Sequence, residues 1–323
     1  MLKSYRRPIS AQSDARHADV RRRLKRPPHM AERLLDTRAI QRSFERAAGT
    51  YADRARLPAE VAARLMERLD GLRFQPETIA DIGCGPGIQA RALAERFGSA
   101  RVVALDFARP MLDRAAAQRG RWRKRFERVA ADAEALPLAQ SSVDLLYSNL
   151  MPHWCADLPA LLNTFRRVLK PGGLMLISTF GPDTLRELRE AWVAIDERPR
   201  TDRFLDVQTV GDAMLRAGFA EPVLDTDWIT TSYRQPRDLL DELRATGATQ
   251  AGAARGRGLT PPSRIRRLLE AYAGQRLESG LYPATWEVIY ASAWGPAEGA
   301  PIRNFHGEEA TVSVASIGRR TRR

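Results

Sequence analysis

The stretch Ile79-Ala-Asp-Ile-Gly83-Cys-Gly85-Pro-Gly87, followed by Val102-Val-Ala-Leu-Asp106, decides how this chain folds. A short apolar run, a glycine turn and a second apolar run closed by a carboxylate read as strand, turn into helix, and strand. Glycines in such a turn let backbone N–H groups come close to a ligand that a Cβ would hold off. An acid at the tip of the following strand is placed to accept from both hydroxyls of a ribose. The third glycine decides which nucleotide. A dinucleotide fingerprint, Gly-x-Gly-x-x-Gly, requires glycine at position 88, and that position is Ile88.

The alternation continues downstream. Strands are expected near 78–82, 101–105, 126–130, 143–147 and 173–179, with helical patterns between them. That order implies an α/β protein with a parallel sheet, helices on both faces and ligands at the carboxyl ends of the strands. Phe165-Arg-Arg-Val-Leu-Lys-Pro171-Gly172-Gly173 reads as a helix with a proline–glycine stop before the fifth strand. Two later strands fall at 223–232 and 285–294, the second expected as the antiparallel edge. Upstream, helical spacing starts at Asp36 with Thr37 as the expected cap, and a second helix ends near Gly71. Pro182-Asp183 is expected to open a helix with Leu185, Leu188 and Trp192 on one face, and a helical insertion spans 236–282.

The spacing Asp81, Gly83, Gly85, Gly87 resembles motif I of the Rossmann-like class I methyltransferases that use S-adenosylmethionine. That resemblance implies a seven-stranded, mostly parallel sheet with an antiparallel edge strand and a helical lid. It puts Asp81 near the amino-acid end of the cofactor, Asp106 on the ribose, and Asp132 of Val129-Ala-Ala-Asp132-Ala-Glu-Ala-Leu-Pro137 on the adenine amino group. Asn149, closing Ser142-Val-Asp-Leu-Leu-Tyr-Ser-Asn149, would lie beside the site of methyl transfer.

From about Thr37 to Trp294 the chain is similar to the malonyl-acyl-carrier-protein O-methyltransferases of biotin synthesis. The matching segments are Phe44-Glu-Arg-Ala-Ala with Tyr51, Ser148-Asn149-Leu150 leading to Trp154-Cys155, Ala191-Trp-x-Ala-x-Asp-Glu-Arg-Pro199 with Arg203-Phe204, Leu243-Arg-Ala-Thr-Gly247-Ala248-Thr249, and Tyr282-Pro283-x-Thr285. The resemblance implies methylation of the free carboxylate of a malonyl thioester, which hides the charge from chain-elongating enzymes. A carboxylate with a pKa of about 4 is already ionised near neutral pH, so no general base is required. Candidate substrate contacts are Arg203 and Arg198 for the carboxylate, Tyr51 closing the methyl pocket, and His153 and Trp154 bordering it. The two arginines could instead pair with Asp196, Glu197 or Asp202 within the lid, and His153 could be a packing residue or, in another methyltransferase, a base. The expected partner is malonyl-acyl carrier protein, with malonyl-coenzyme A left open. A basic face should steer the acidic carrier, through Arg121, Arg123, Lys124 and Arg125 or through Arg264, Arg266 and Arg267.

The 323 residues suffice for one substantial core and contain no apolar run of membrane-spanning length. The net charge is +13, of which residues 1–29 hold +7 and residues from Ile302 onward +3. The expected organisation is a basic, disordered extension over 1–35, a methyltransferase domain over 36–295 with lid insertions at 181–215 and 236–282, and a basic, disordered tail over 296–323. Since the basicity sits in the tails, nucleic acid is not the expected partner. Cys84 and Cys155 lack metal-ligand spacing, so neither a metal site nor a disulfide scaffold is expected, and two free thiols suit a reducing cytoplasm. A monomer is expected. Rival readings are a respiratory-complex assembly factor related to this family, an RNA or small-molecule methyltransferase, and a cofactor-binding scaffold. Amino-group methylation of nucleic acid lacks its Asn/Asp-Pro-Pro-aromatic motif here, because Asn149 is followed by Leu150 and Met151.

Overall fold

The computed structural model describes residues 35–118, 125–195, 204–248 and 261–297, with the backbone of 302–304 and 307–309. The extension over 1–29, Arg121, Arg123, Lys124, Asp196, Glu197, Arg198, Asp202, Arg203 and Thr249 lie outside the described residues.

Strands β1 (Thr78–Ile82), β2 (Arg101–Asp106), β3 (Glu127–Ala130), β4 (Val143–Ser148), β5 (Leu169–Phe180), β6 (Ala220–Tyr233) and β7 (Tyr282–Trp294) form one sheet in the order β3-β2-β1-β4-β5-β7-β6. The pairings among β1 to β5 are parallel, and β7 runs antiparallel to both β5 and β6. The mostly parallel seven-stranded sheet is as expected, but the outermost strand is β6 rather than β7. Burial explains the order. β7 is covered along nearly its whole length, while β6 alternates half-buried and exposed residues, as a strand with one wet face does. Beyond β7, within the stretch read as a tail, β8 (Ile302–Asn304) and β9 (Gly307–Glu309) pair as a small antiparallel hairpin.

Helices cover both faces. The first three are α1 (Thr37–Ala47), α2 (Tyr51–Arg54) and α3 (Arg56–Glu67). Asp36, not Thr37, caps α1: its Oδ1 accepts from Ala39 N at 2.9 Å, leaving Thr37 as the first helical residue. Then come α4 (Ile88–Arg96), α5 (Arg109–Gln118) and α6 (Leu158–Val168). Asp157 caps α6, whose Leu158, Leu161, Leu162, Phe165 and Val168 are all buried against the sheet. Burying the Phe165 side chain alone stabilises the fold by roughly 1.5–3 kcal/mol.

The expected stop after α6 takes a different form. Leu169 already pairs with Val143, and the Pro171–Gly172–Gly173 segment is an irregularity inside β5, with Gly172 at φ 70°. The remaining helices are α7 (Arg186–Ile195), α8 (Val207–Arg216), α9 (Pro236–Ala245) and α10 (Pro262–Ala273). Helix α7 starts four residues after Pro182, because residues 182–185 form a turn tied to β7: Leu185 N donates to Thr285 O at 2.6 Å. Leu185, Leu188 and Trp192 nevertheless share the buried face.

Candidate active site

The carboxyl ends of β1, β2 and β4 open into a cleft. The glycine turn rides on β2, with Gly83 N and Cys84 N donating to Leu105 O at 2.8 and 3.0 Å. Asp106 fastens the turn: Oδ2 accepts from Gly85 N at 2.9 Å and Oδ1 from Ala108 N at 2.8 Å. Burial pushes its pKa up to about 6, against the pull of the Ala108, Gly85 and Phe107 N–H groups. Gly83, Gly85, Asp106, Asp132 and Asn149 line the cleft, whereas Asp81 and Gly87 stand behind it.

Asp81 is 1% exposed, and its Oδ2 has no hydrogen-bond partner among the described residues. Burial, then the charge of Asp106, push its pKa up to about 8, while the Ala90 N–H holds it back. A buried oxygen lacking a donor, just behind the glycine turn, is one that a cationic group of a bound ligand would satisfy. Because this pKa is raised above the ordinary value of about 4, the contribution of Asp81 to stability is greatest at acid pH and is lost as pH rises towards 8. The cofactor-free protein should therefore lose Tm between pH 5 and pH 8. Asp81→Asn should flatten that fall and raise Tm at pH 8 by a few degrees, while weakening the cofactor. Thermal melts across pH, with and without S-adenosylhomocysteine, measure both effects; equal pH slopes in the two proteins would refute the assignment.

Around the same cleft, Asp132 caps the short 3-10 turn Ala133–Ala135 by accepting from Glu134 N at 3.0 Å. Asn149 donates through Nδ2 to Pro58 O at 3.0 Å and accepts from Ser178 Oγ at 2.8 Å, so its carboxamide also joins β4, β5 and the start of α3. The Tyr51 ring lies over the glycine turn, about 4.0 Å from where a Cβ on Gly85 would sit. Burial and the nearby Asp106 raise its phenol pKa.

The other end of the cleft is aromatic. His153 and Trp154 belong to the 3-10 turn Pro152–Trp154 that follows β4. The His153 ring is 4.7 Å from Phe180, 4.9 Å from Trp154 and 5.6 Å from Phe204, centroid to centroid. Phe44 meets Trp154 edge-on at 5.2 Å, and Trp286 stands 5.5 Å from Phe180. Glu242, Leu243 and Thr246 of the α9 region complete the wall. No lysine or arginine lines the cleft among the described residues, and Arg198 and Arg203 fall outside them. Phe180, Trp286 and Glu242 join the site without being among the sequence candidates. Phe180 carries the one usable signal, since it closes the fifth strand at the end where ligands bind.

A family profile described as a methyltransferase domain matches residues 80–177, from β1 through most of β5. Proteins called malonyl-[acyl-carrier protein] O-methyltransferase match much more of the chain. The one from Gallionella capsiferriformans is 44% identical over 83% of this chain and 94% of its own length. Those of Halorhodospira halophila and Xylella fastidiosa are 43% and 42% identical, over 89% and 90% of this chain and 97% and 98% of their own. The chain belongs to the malonyl-[acyl-carrier protein] O-methyltransferase family.

Among solved structures, a Bacillus halodurans protein aligns with TM-score 0.53 at 21% identity, covering 73% of this chain and 99% of its own. YcgJ from Bacillus subtilis aligns with TM-score 0.51 at 16% identity, covering 73% and 98%. At those identities the likeness is one of fold. Membership in the malonyl-[acyl-carrier protein] O-methyltransferase family, by contrast, rests on segments that include α7 and α9, outside the part the domain profile matches.

Proposed function

We propose that this chain transfers a methyl group from S-adenosylmethionine to the free carboxylate of a malonyl thioester carried on acyl carrier protein, in biotin synthesis. What supports the reading is the likeness to relatives so named over 83–90% of the chain, lid elements included. The fold alone would not, since one fold serves many substrates. When bound, S-adenosylmethionine supplies an electrophilic methyl group. Asp106 would hold its ribose, Asp132 its adenine and Asp81 its ammonium group.

The rest falls to the aromatic end. A malonyl carboxylate arrives ionised, so no side chain need remove a proton. The box of Phe44, His153, Trp154, Phe180, Phe204 and Trp286 excludes water and confines the carboxylate to one approach. Arg203, adjacent in sequence to Phe204, is the first candidate for the cation that receives it, ahead of Arg198. Arg203→Ala should raise the carrier-substrate KM or lower kcat, by tenfold or more, with cofactor affinity retained; unchanged kinetics would remove Arg203 from the site. The reaction class is tested by treating the methylated product with mild alkali. A carboxyl methyl ester releases methanol, whereas an N- or C-methylated product releases none and would contradict the reading.

A further inference from the structure

Several arginines of the surrounding helices are committed. Arg64 pairs with Glu60 and Asp227, Arg68 with Asp225, and Arg237 and Arg244 with Asp241. Arg54 and Arg56 are not committed, a condition they share with Arg38, Arg42 and Arg46 of α1 among the described residues. Both are exposed, and among the described residues neither has a carboxylate within the 4.0 Å of an ion pair. They stand at the junction of α2 and α3, beside Tyr51, Leu57 and Pro58, which line the cleft.

Helix α2 packs against α9, and Thr50 Oγ1 donates to Ala245 O at 2.8 Å, so this junction faces the wall that carries Glu242. The charges of Arg56 and Arg54 reach Glu242, opposing the effect of burial on its carboxyl. Further in, the described lining holds no lysine or arginine. An elongated substrate with a neutral middle and an anionic outer end would thus find its cationic partner at the rim.

We propose that the Arg54 and Arg56 guanidinium groups clamp a phosphodiester at the mouth of the cleft, the one that joins an acyl-bearing pantetheine arm to its carrier. This deepens the reading of the cleft as a malonyl-thioester site and rests on it for the ligand's identity. The chemistry fits each part. Guanidinium groups match phosphate oxygens in paired hydrogen bonds, and at a solvent-facing rim they avoid the cost of burial. Coenzyme A carries an equivalent phosphate at the same distance from its thiol, so both carriers present the shared group.

The test is a binding titration of the S-adenosylhomocysteine-loaded protein with 4′-phosphopantetheine, pantetheine, coenzyme A and holo-acyl carrier protein. The Arg54→Gln/Arg56→Gln variant is titrated alongside. The wild-type protein should bind phosphopantetheine about tenfold or more tightly than pantetheine, as expected for charge-assisted bonds. The double variant should lose that preference, lose affinity for coenzyme A and the carrier, and bind S-adenosylhomocysteine as before; Arg54→Lys/Arg56→Lys should recover part of it. Equal wild-type affinity for the two small ligands, or a preference that survives in the variant, overturns the clamp. So does a loss confined to the carrier protein, which would put the arginines against its acidic surface. Turnover of malonyl-acyl carrier protein, measured in parallel, separates the two claims: a preference for phosphopantetheine without methylation keeps the clamp and removes the carboxyl-methylation reading.

Discussion

Asp106→Asn should weaken S-adenosylmethionine binding about 100-fold and lower kcat/KM in proportion at sub-saturating cofactor. The carboxylate accepts from two backbone donors, Gly85 N and Ala108 N, one on each oxygen. An amide keeps only one acceptor, so one of those N–H groups would face an NH2 group. The substitution thus loosens the glycine turn and, in the proposed binding mode, also removes charge-assisted bonds to the ribose. A hydrogen bond to a charged group contributes roughly 1.5–3 kcal/mol, and each 1.4 kcal/mol is tenfold in affinity, which sets the expected scale at two decades. Calorimetric titration with S-adenosylhomocysteine measures it. A change under threefold would mean that Asp106 only shapes the turn.

The second large effect is on stability. Gly87 caps α4 at φ 79°, a backbone region that side chains avoid, and a Cβ there would lie 2.7 Å from Ala115 Cβ and 3.2 Å from Ala115 Cα. The neighbour is backbone of α5 and cannot swing away. Gly87→Val should therefore cost about 2–5 kcal/mol, from left-handed strain of roughly 1–2 kcal/mol plus overpacking of roughly 1–3 kcal/mol. Tm should fall by on the order of 10 °C. Thermal unfolding with and without cofactor separates this from a binding defect. A variant with native Tm but lost cofactor affinity would show that Gly87 meets the ligand rather than α5.

Gly87 also shows that a residue of a motif can be fixed by packing. The glycine spacing pointed to the right turn, yet the third glycine serves helix packing behind the cleft. What sequence made legible was local: Asp81, Asp106 and Asn149 fall at or next to strand ends because each strand is short and buried. Tertiary choices were less legible. Whether β6 or β7 takes the edge depends on which strand pairs with β5, and both run long with mixed polarity. Asp36 and Thr37 are both good caps, and the backbone geometry at Asp36 decided between them. Glu242 and Trp286 reach the cleft through the packing of α9 and the register of β7, for which no residue spacing gives a signal. The aromatic box has the same origin: its members come from α1, β5, β7, one 3-10 turn and the segment before α8.

The claim at the centre is that a malonyl carboxylate receives the methyl group. Intact-mass spectrometry of malonyl-acyl carrier protein after incubation with this protein and S-adenosylmethionine tests it directly, with acetyl-acyl carrier protein run alongside. The malonyl form should gain one CH2 and the acetyl form, which has no free carboxylate, none. No gain on malonyl-acyl carrier protein by enzyme shown to bind S-adenosylhomocysteine, or equal gain on both carriers, would contradict it.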